Sequence, residues 1–464
     1  MINHFNFSKF KDKILITNDF GRYLFLNKDE FKKFIDKKLD SQEEIYKDLV
    51  ENHFILDRPG VLFEEELKDE IRSMKSYTLS GTSLHIFAIT NSCNANCIYC
   101  QAKDKASKLN GFMTKETARK SVDIALQSPE KRITIEIQGG EPLLNFEVVK
   151  EIVDYTTEVK GDKDVSFTMV SNLIALDEEK VSFLVKNNVS VCTSLDGPQN
   201  VQEHNRVCKN GGSTYEYAIH GIEKLREAGI FGGAIQTTTK YSLNYPEEIV
   251  NLYSDLGLPG MFIRPLTPLG FAKSDWQEIG YTPEEFLLFY KKAFNRIMEI
   301  NKQGKFFPEL HASYFLRKIL DGSSINYMEL RSPCGAGIGQ LSYYYTGDVY
   351  TCDEGRMISE AGIDAFKLGN VYKDSYEDLI KNPICKTLAL SSVVESIPKC
   401  SDCVYNPYCG VCPVITYAHE NDIFPKSPKG FRCQVYSGMM DMFFEILYKA
   451  NEDDLKVLES WLQN

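Results

Sequence analysis

The chain has 464 residues and 13 cysteines, and its 53 basic and 65 acidic residues leave a net charge of −12. That length exceeds one ordinary core and predicts roughly two to three domains, while the acidic balance argues against a nucleic-acid partner, which needs a basic surface. No apolar stretch reaches the roughly 18 to 20 residues of a membrane span, and Met1 to Phe10 carry no apolar signal segment, so the expected location is the cytoplasm. There, cysteines serve as metal ligands or catalytic groups more often than as disulfides. An odd count also excludes complete intrachain pairing.

The first 62 residues read as a small module. ILITNDFGRYLFL (14–26) predicts two short strands around a turn at Asp19 to Gly21. Amphipathic stretches follow near 28–37 and 42–53, then a strand-like FIL at 54–56. A hairpin, helices and a further strand indicate a winged-helix-like unit, with 63–80 as a charged helical linker. From 81 to 310, apolar runs at 84–90, 133–138, 165–170, 190–195, 231–238 and 261–266 alternate with amphipathic stretches near 114–128, 146–159, 177–187, 214–228, 246–256 and 282–303. Strand then helix, repeated about six times, predicts an α/β fold with a parallel sheet closed partly or wholly into a barrel. Its chemistry belongs at the C-terminal ends of the strands. Residues 311–464 hold most of the remaining cysteines.

Cys93, Cys97 and Cys100 form C-x3-C-x2-C directly after the first of these strands. Three thiolates on one loop can grip three irons of a cubane and leave the fourth open to a substrate group. A structural zinc site wants four closed ligands, and ferredoxin clusters use four cysteines at other spacings. Further motifs follow the next strands: Gly139-Gly140-Glu141-Pro142, then Ser171-Asn172, then Ser194-Leu195-Asp196-Gly197-Pro198, with Arg206 shortly after. Singly, GGEP or SLDGP is ordinary turn chemistry. In order, each at a strand end, they are specific.

C-x3-C-x-aromatic-C, with Tyr99 as the aromatic, resembles the signature of the radical S-adenosylmethionine (SAM) enzymes. The resemblance implies a [4Fe–4S] cluster on Cys93, Cys97 and Cys100 whose unique iron chelates S-adenosyl-L-methionine. It places Tyr99 against the adenine region. Gly139, Gly140, Glu141 and Pro142 would form the edge that receives the cofactor's ammonium group. Ser171 and Asn172 would contact ribose or carboxylate, with Ser194 and Asp196 at the next strand end. Arg206 would pair with the cofactor carboxylate, which suits its bidentate fork. Arg264-Pro265 and Gly270 would wall the pocket or form a plain turn.

Further on, Cys334, Gly347-x4-Cys352, Cys400-x2-Cys403-x5-Cys409-x2-Cys412 and Cys433 resemble the SPASM extension with two auxiliary [4Fe–4S] clusters. The final C-x2-C departs by one residue from that pattern's C-x3-C. Carried over, Cys400, Cys403, Cys409 and Cys433 hold one cluster, and Cys334, Cys352 and Cys412 the other. The second is one ligand short; Asp353 or Cys385 fills the place, or it stays open. Zinc is the rival, although a zinc ribbon usually separates its CxxC pairs by about 15 to 20 residues. Cys192, in an apolar strand, is expected to be buried packing, and Cys208 a free loop thiol. The segments 83–102, 263–272, 332–357 and 400–414 resemble the His-Xaa-Ser system radical SAM maturases.

That resemblance implies a maturase of ribosomally made precursor peptides, working through a 5′-deoxyadenosyl radical, with a crosslink (a C–C cyclophane or a thioether) at an unactivated carbon as the favoured product. It implies a leader peptide bound by the front module, typically by strand addition, and an electron donor such as flavodoxin or ferredoxin. An anaerobic sulfatase-maturating enzyme that makes formylglycine shares the plan. A non-catalytic iron–sulfur electron carrier or peptide-binding scaffold is the other alternative. No acid or base is assigned: Asp353, Glu354 and Arg356 follow a cluster cysteine, but DEGRM is equally a solvated turn.

Overall fold

A computed structural model of the chain describes residues 1–57, 60–103, 111–322, 325, 327–425, 428 and 430–462. The N-terminal module is a three-stranded antiparallel sheet, β1 (Asn6–Phe10), β2 (Lys13–Thr17) and β3 (Tyr23–Leu26), in that order. Two helices, Lys28–Ile35 and Glu44–Glu51, follow. Asn27 starts the first with a capping box: its side chain accepts from Glu30 N, and Glu30 reaches back to Asn27 N. The module closes on its own small core of Ile16, Leu26, Phe34, Leu49 and Phe54. The sequence reading missed β1, whose polar alternation is weak. It also overcalled 54–56, where only Ile55 pairs, in a single bridge to Ile2. The expected linker is the helix Gly60–Met74 followed by a short 3-10 turn, Ser76–Leu79.

The next strands in chain order are β4 (Leu84–Ala88), β5 (Ala95–Cys97), β6 (Arg132–Gln138), β7 (Asp164–Val170), β8 (Val189–Ser194), β9 (Arg206–Cys208), β10 (Phe231–Thr237) and β11 (Ile263–Arg264). Strands β4, β6, β7, β8, β10 and β11 lie side by side in chain order, all parallel. This is the expected partial (β/α)6 barrel. Its last strand is only two residues long, because the chain turns at Pro265. Parallel strands usually read as continuous apolar runs, since both faces are buried. Here β6 alternates: Ile133, Ile135 and Ile137 are buried under helices, while Thr134, Glu136 and Gln138 are half-buried on the concave face. Thr168 pairs with Glu136, and Cys192 lies on the same face. The polar period is therefore the imprint of a hollow interior. Cys192 lines that interior and is half-buried, so it is not the apolar packing residue its strand suggested.

The C-terminal region does not stand apart from the barrel. Strand β12 (Gln340–Tyr344) pairs parallel with β4 over five residues, Gln340 opposite Leu84 through Tyr344 opposite Ala88. Antiparallel β13 (Asp348–Tyr350) and β14 (Lys367–Asn370) extend the sheet to nine strands. Gly347, with φ 86°, makes the tight turn between β12 and β13. The long helices Pro283–Lys302 and Phe431–Lys449 pack against each other. Phe444, on the second, touches Tyr23 and Phe25 of the front module and Tyr405 and Tyr408 of the cysteine-rich loop. Tyr408 Oη also donates to Gly21 O at 3.0 Å, and Thr17 Oγ1 to Val404 O at 2.7 Å.

Two predictions come from this packing. Phe444→Ala removes a fully buried ring shared by three segments and should cost about 3–5 kcal/mol. The readout is a lowered thermal midpoint, with faster proteolytic release of the front module. The second concerns Glu309, fully buried, which accepts from Ile263 N (3.0 Å), Ala312 N (2.6 Å) and Tyr290 Oη (2.5 Å). Burial outweighs those donors and pushes its carboxyl up to about 7. Between its ordinary value near 4.5 and 7 the folded chain holds a proton that the unfolded chain has released. Glu309 thus makes stability fall as pH rises through that window and levels off above it. Denaturant unfolding at pH 5 and pH 7.5 should show Glu309→Gln losing up to about 3 kcal/mol of that slope.

Candidate functional site

The first site forms where β4 and its neighbours end. Backbone pairing continues past the strands: Gly140 N donates to Thr90 O (2.7 Å) and Glu141 N to Ser92 O (2.8 Å). This seats the GGEP segment directly on the loop that leads into Cys93. A Cβ at Gly139 would stand 2.3 Å from Thr90 O, with φ at 145°, and one at Gly140 would stand 2.1 Å from Ser92 O. No side chain fits at either position. Pro142 opens the short turn that follows and is buried. Glu141 is fully buried and accepts from Leu143 N (3.0 Å), Ser171 Oγ (2.8 Å) and Asn172 N (2.8 Å). Its carboxylate thus ties the second strand end to the third. Asn172 in turn donates to Asn94 Oδ1 (2.8 Å) and reaches Cys93 Sγ at 3.6 Å.

The other side of the loop is held by a buried charge cluster. Strand β5 carries Cys97 and pairs antiparallel with β9, Cys97 opposite Arg206 and Ala95 opposite Cys208. Arg206 Nε and Nη2 donate to Asp196 at 3.1 and 3.2 Å, and Tyr99 Oη donates to the same carboxylate at 2.7 Å. The guanidinium lies 5.2 Å from the centre of the Tyr99 ring and its Nη1 reaches Cys97 Sγ at 4.0 Å. Asp196 is fully buried and accepts further bonds from Asn205 Nδ2 and Thr237 N. Ser194 ends β8 on the concave face, its carbonyl accepting from Gln202 Nε2. In this structure Arg206 and Tyr99 are engaged by Asp196. Cys208 is not a free loop thiol: it is buried on β9, with Sγ 2.7 Å from Asn210 Oδ1.

The thiols gather in three groups. Cys93, Cys97 and Cys100 sense one another's charge on the first loop. Cys334, Cys352 and Cys412 pack in one buried cluster. Cys400, Cys403, Cys409 and Cys433 form the third group. Burial pushes Cys93 and Cys97 up to about 11 and Cys409 up to about 12. Such thiols stay protonated at neutral pH unless a bound metal displaces the proton. Among the described residues no group of three or more His, Cys, Asp or Glu stands close enough to hold a single metal ion.

The candidates expected to complete the group of Cys334, Cys352 and Cys412 lie in different settings. The Cys385 Sγ lies against Gly337, 3.6 Å from Leu379 O, in the core under the barrel helices. Asp353 is bound by Arg356 Nε and Nη2 at 3.1 and 2.6 Å and faces Glu136 in the barrel interior. Glu354, one residue on, is the carboxylate whose charge reaches all three thiols. DEGRM is not a solvated turn: it forms the helix Asp353–Ser359, capped by Cys352 and with Arg356 buried.

Sequence reading also missed a polar centre over the barrel mouth. A cavity there is lined by thiols of both C-terminal groups and by Arg264, His311, Glu329, Arg432 and Tyr436. Glu329 accepts from Arg432 Nη1 (2.8 Å), Tyr436 Oη (2.8 Å), Arg264 Nη2 (3.4 Å) and Tyr327 Oη (3.4 Å). Burial works to raise its carboxyl, but the two guanidiniums hold it down at about 2. These residues come from four distant segments with no local motif. Only Arg264 carried any signal, as part of the Arg-Pro after the last strand.

Residues 87–264 match the family model of the radical SAM superfamily, and the chain has the α/β fold with a parallel sheet over that stretch. An uncharacterized protein of Methanocaldococcus jannaschii is 30% identical over 190 residues, 41% of this chain and 65% of that protein, so the chain spans just under two thirds of that relative. A cysteine-type anaerobic sulfatase-maturating enzyme of Clostridium novyi is 21% identical over 79% of this chain and 95% of its own length. Among solved structures, anSMEcpe with bound AdoMet superposes at TM-score 0.69 and 20% identity, covering 79% of this chain and 98% of that one. Streptococcus suis SuiB bound to its precursor peptide SuiA superposes at 0.54 and 14% identity, covering 92% and 99%.

The Asp196 cluster gives a direct test. Asp196→Asn leaves Arg206, whose side chain is 12% exposed, without its counter-charge. Breaking a buried pair in this way should cost about 3–5 kcal/mol, read as a drop in the thermal midpoint. Tyr99→Phe removes one neutral donor and should cost about 1 kcal/mol.

Proposed function

We propose that the chain is a radical SAM maturase that modifies a ribosomally made precursor peptide. The observation that carries the reading is the placement of the thiols. The thiols sort into three separate groups, of three, three and four, beside a barrel with a polar interior. Cys93, Cys97 and Cys100 would hold the cluster that binds S-adenosyl-L-methionine. Cys334, Cys352 and Cys412, with Glu354 beside them, and Cys400, Cys403, Cys409 and Cys433 would hold two auxiliary [4Fe–4S] clusters. The donor chemistry fits, since burial keeps these thiols protonated until a metal displaces the proton. The glycines at 139–140 let the cysteine loop close directly onto this segment.

When bound, a radical SAM cluster and its cofactor supply a 5′-deoxyadenosyl radical, which the protein has to position and shield. This chain's residues would do the positioning. The Thr90–Gly140 and Ser92–Glu141 pairings hold the cysteine loop, and Asp196 fixes the Tyr99 ring and the Arg206 guanidinium beside it. Gly139, Gly140, Glu141, Pro142, Ser171, Asn172, Ser194, Asp196 and Arg206 form the shell around the cofactor. The polar concave face, with Glu136 and Thr168, receives the substrate segment.

SuiB, in its complex with SuiA, binds a precursor peptide along a similar fold, which supports a peptide substrate. The front module offers a strand edge, Asn6–Phe10, with three exposed residues, suited to adding a leader as a fourth strand. The product favoured is a crosslink at an unactivated carbon. The setting would be the cytoplasm, with a flavodoxin or ferredoxin as reductant. The residues, rather than the comparisons, point to the His-Xaa-Ser type of maturase. Formylglycine formation on a sulfatase is the second reading, favoured by the named relative from Clostridium novyi.

The anaerobically reconstituted protein should form 5′-deoxyadenosine under a strong reductant, and Cys97→Ala should reduce that to background. Coexpression with a candidate precursor peptide, sought among short open reading frames beside its gene, should give a peptide two hydrogens lighter, with fragmentation blocked between two linked residues. A two-hydrogen loss at a single Ser or Cys of a sulfatase peptide, without a link, would establish the second reading. Absence of 5′-deoxyadenosine from a fully iron-loaded protein would rule out both.

A further inference from the structure

Arg432 sits immediately before Cys433, at the first turn of the helix Phe431–Lys449. Its side chain is fixed on three sides. Nη1 donates to Glu329 Oε2 at 2.8 Å, Nη2 donates to the Glu329 carbonyl at 2.8 Å, and the guanidinium lies 4.4 Å from the centre of the Tyr436 ring. The remaining donor, Nε, is buried and has no hydrogen-bond partner. A buried donor left unpaired is costly, and this one lies in the wall of a cavity lined by thiols. Arg432 lines the cavity that Cys409 and Cys433 share with Cys412. Its charge acts on Cys409 of one thiol group and on Cys334 and Cys412 of the other.

Arg264 and Arg432 share the one carboxylate of Glu329, which is also saturated by Tyr436 and Tyr327. Arg264 is opposed by Glu354 as well, so of the two guanidiniums Arg432 is the one whose charge acts on thiols of both groups. Reduction adds an electron to an already anionic thiolate-ligated cluster, so a fixed cation or an N–H directed at its sulfurs favours the reduced form.

We infer that Arg432 is a positioning residue for electron flow, held by Glu329 so that its unpaired Nε donates to an auxiliary-cluster sulfur and its charge raises the reduction potential of both auxiliary clusters. This rests on the reading that those seven cysteines hold iron–sulfur clusters.

The test is a redox titration of the reconstituted holoprotein followed by electron paramagnetic resonance, with iron and sulfide counted for each variant. Arg432→Gln should move both auxiliary signals to more negative potential while the signal of the Cys93–Cys97–Cys100 cluster stays in place. A tenfold loss in the reduction equilibrium reads as about 59 mV for a one-electron step. Arg432→Lys, which keeps the charge without the fork, should move them less. Glu329→Gln, which removes the opposing charge, should move them the other way. Glu329→Gln also keeps the test open if Arg432→Gln loses its clusters. Unmoved auxiliary potentials in Glu329→Gln and in a fully loaded Arg432 variant would overturn the inference and leave the maturase reading intact. Iron and sulfide in the unaltered protein sufficient for only one cluster would overturn the cluster reading instead.

Discussion

One ladder of backbone pairing fixes where the cysteines go. Strand β4 runs directly into the loop bearing Cys93, Cys97 and Cys100, and β12 lies parallel to it over five residues. From β12 the chain turns at Gly347, returns as β13 and reaches Cys352 two residues later. Antiparallel β13 carries the chain back, Tyr350 lying opposite Ser342, so Cys352 returns toward the edge of the sheet where β4 and β12 begin, whereas Cys93, Cys97 and Cys100 follow the end of β4 at the barrel's C-terminal rim. The hydrogen-bond register sets that relation, leaving little to side-chain choice.

Around that rim the chain buries charge twice, by the same device. Asp196 gathers Tyr99, Asn205 and Arg206, and Glu329 gathers Arg264, Arg432 and Tyr436. Each carboxylate is satisfied by donors from separate segments, which lets a desolvated charge survive. Each also fixes an Arg beside a thiol group: Arg206 at Cys97 and Arg432 before Cys433. Isolated, such charges would be costly. Placed beside prospective anionic clusters, they have a partner the protein alone does not supply.

The front module is anchored on the same region. Asn6 donates to the carbonyls of Ser401 and Cys403 at 3.0 and 3.1 Å, and Phe444 packs under both Tyr23 and Tyr408. The surface suited to a leader and the cysteine field therefore share one foundation of aromatic packing.

The strands, the helices and the first cysteine loop were legible in the sequence. Six apolar runs separated by amphipathic stretches specify a parallel barrel, because the period of burial is local. Cys93, Cys97 and Cys100 stand together because spacing along one loop is a short-range geometric constraint, whereas the later cysteines sorted into two groups only by resemblance to a known pattern. Tertiary structure alone decided what lies across the sheet. Cys192 faces the polar interior, a matter of strand register. Cys385 packs under helices against Gly337, whereas the charge of Glu354 reaches Cys334, Cys352 and Cys412. Glu329, Arg264 and Arg432 meet from segments well over a hundred residues apart at their widest, with no motif to announce them. Local pattern encodes which way a residue tends to point along its own element. Which distant residue it meets is set by packing and register, and these emerge only when the whole chain has closed.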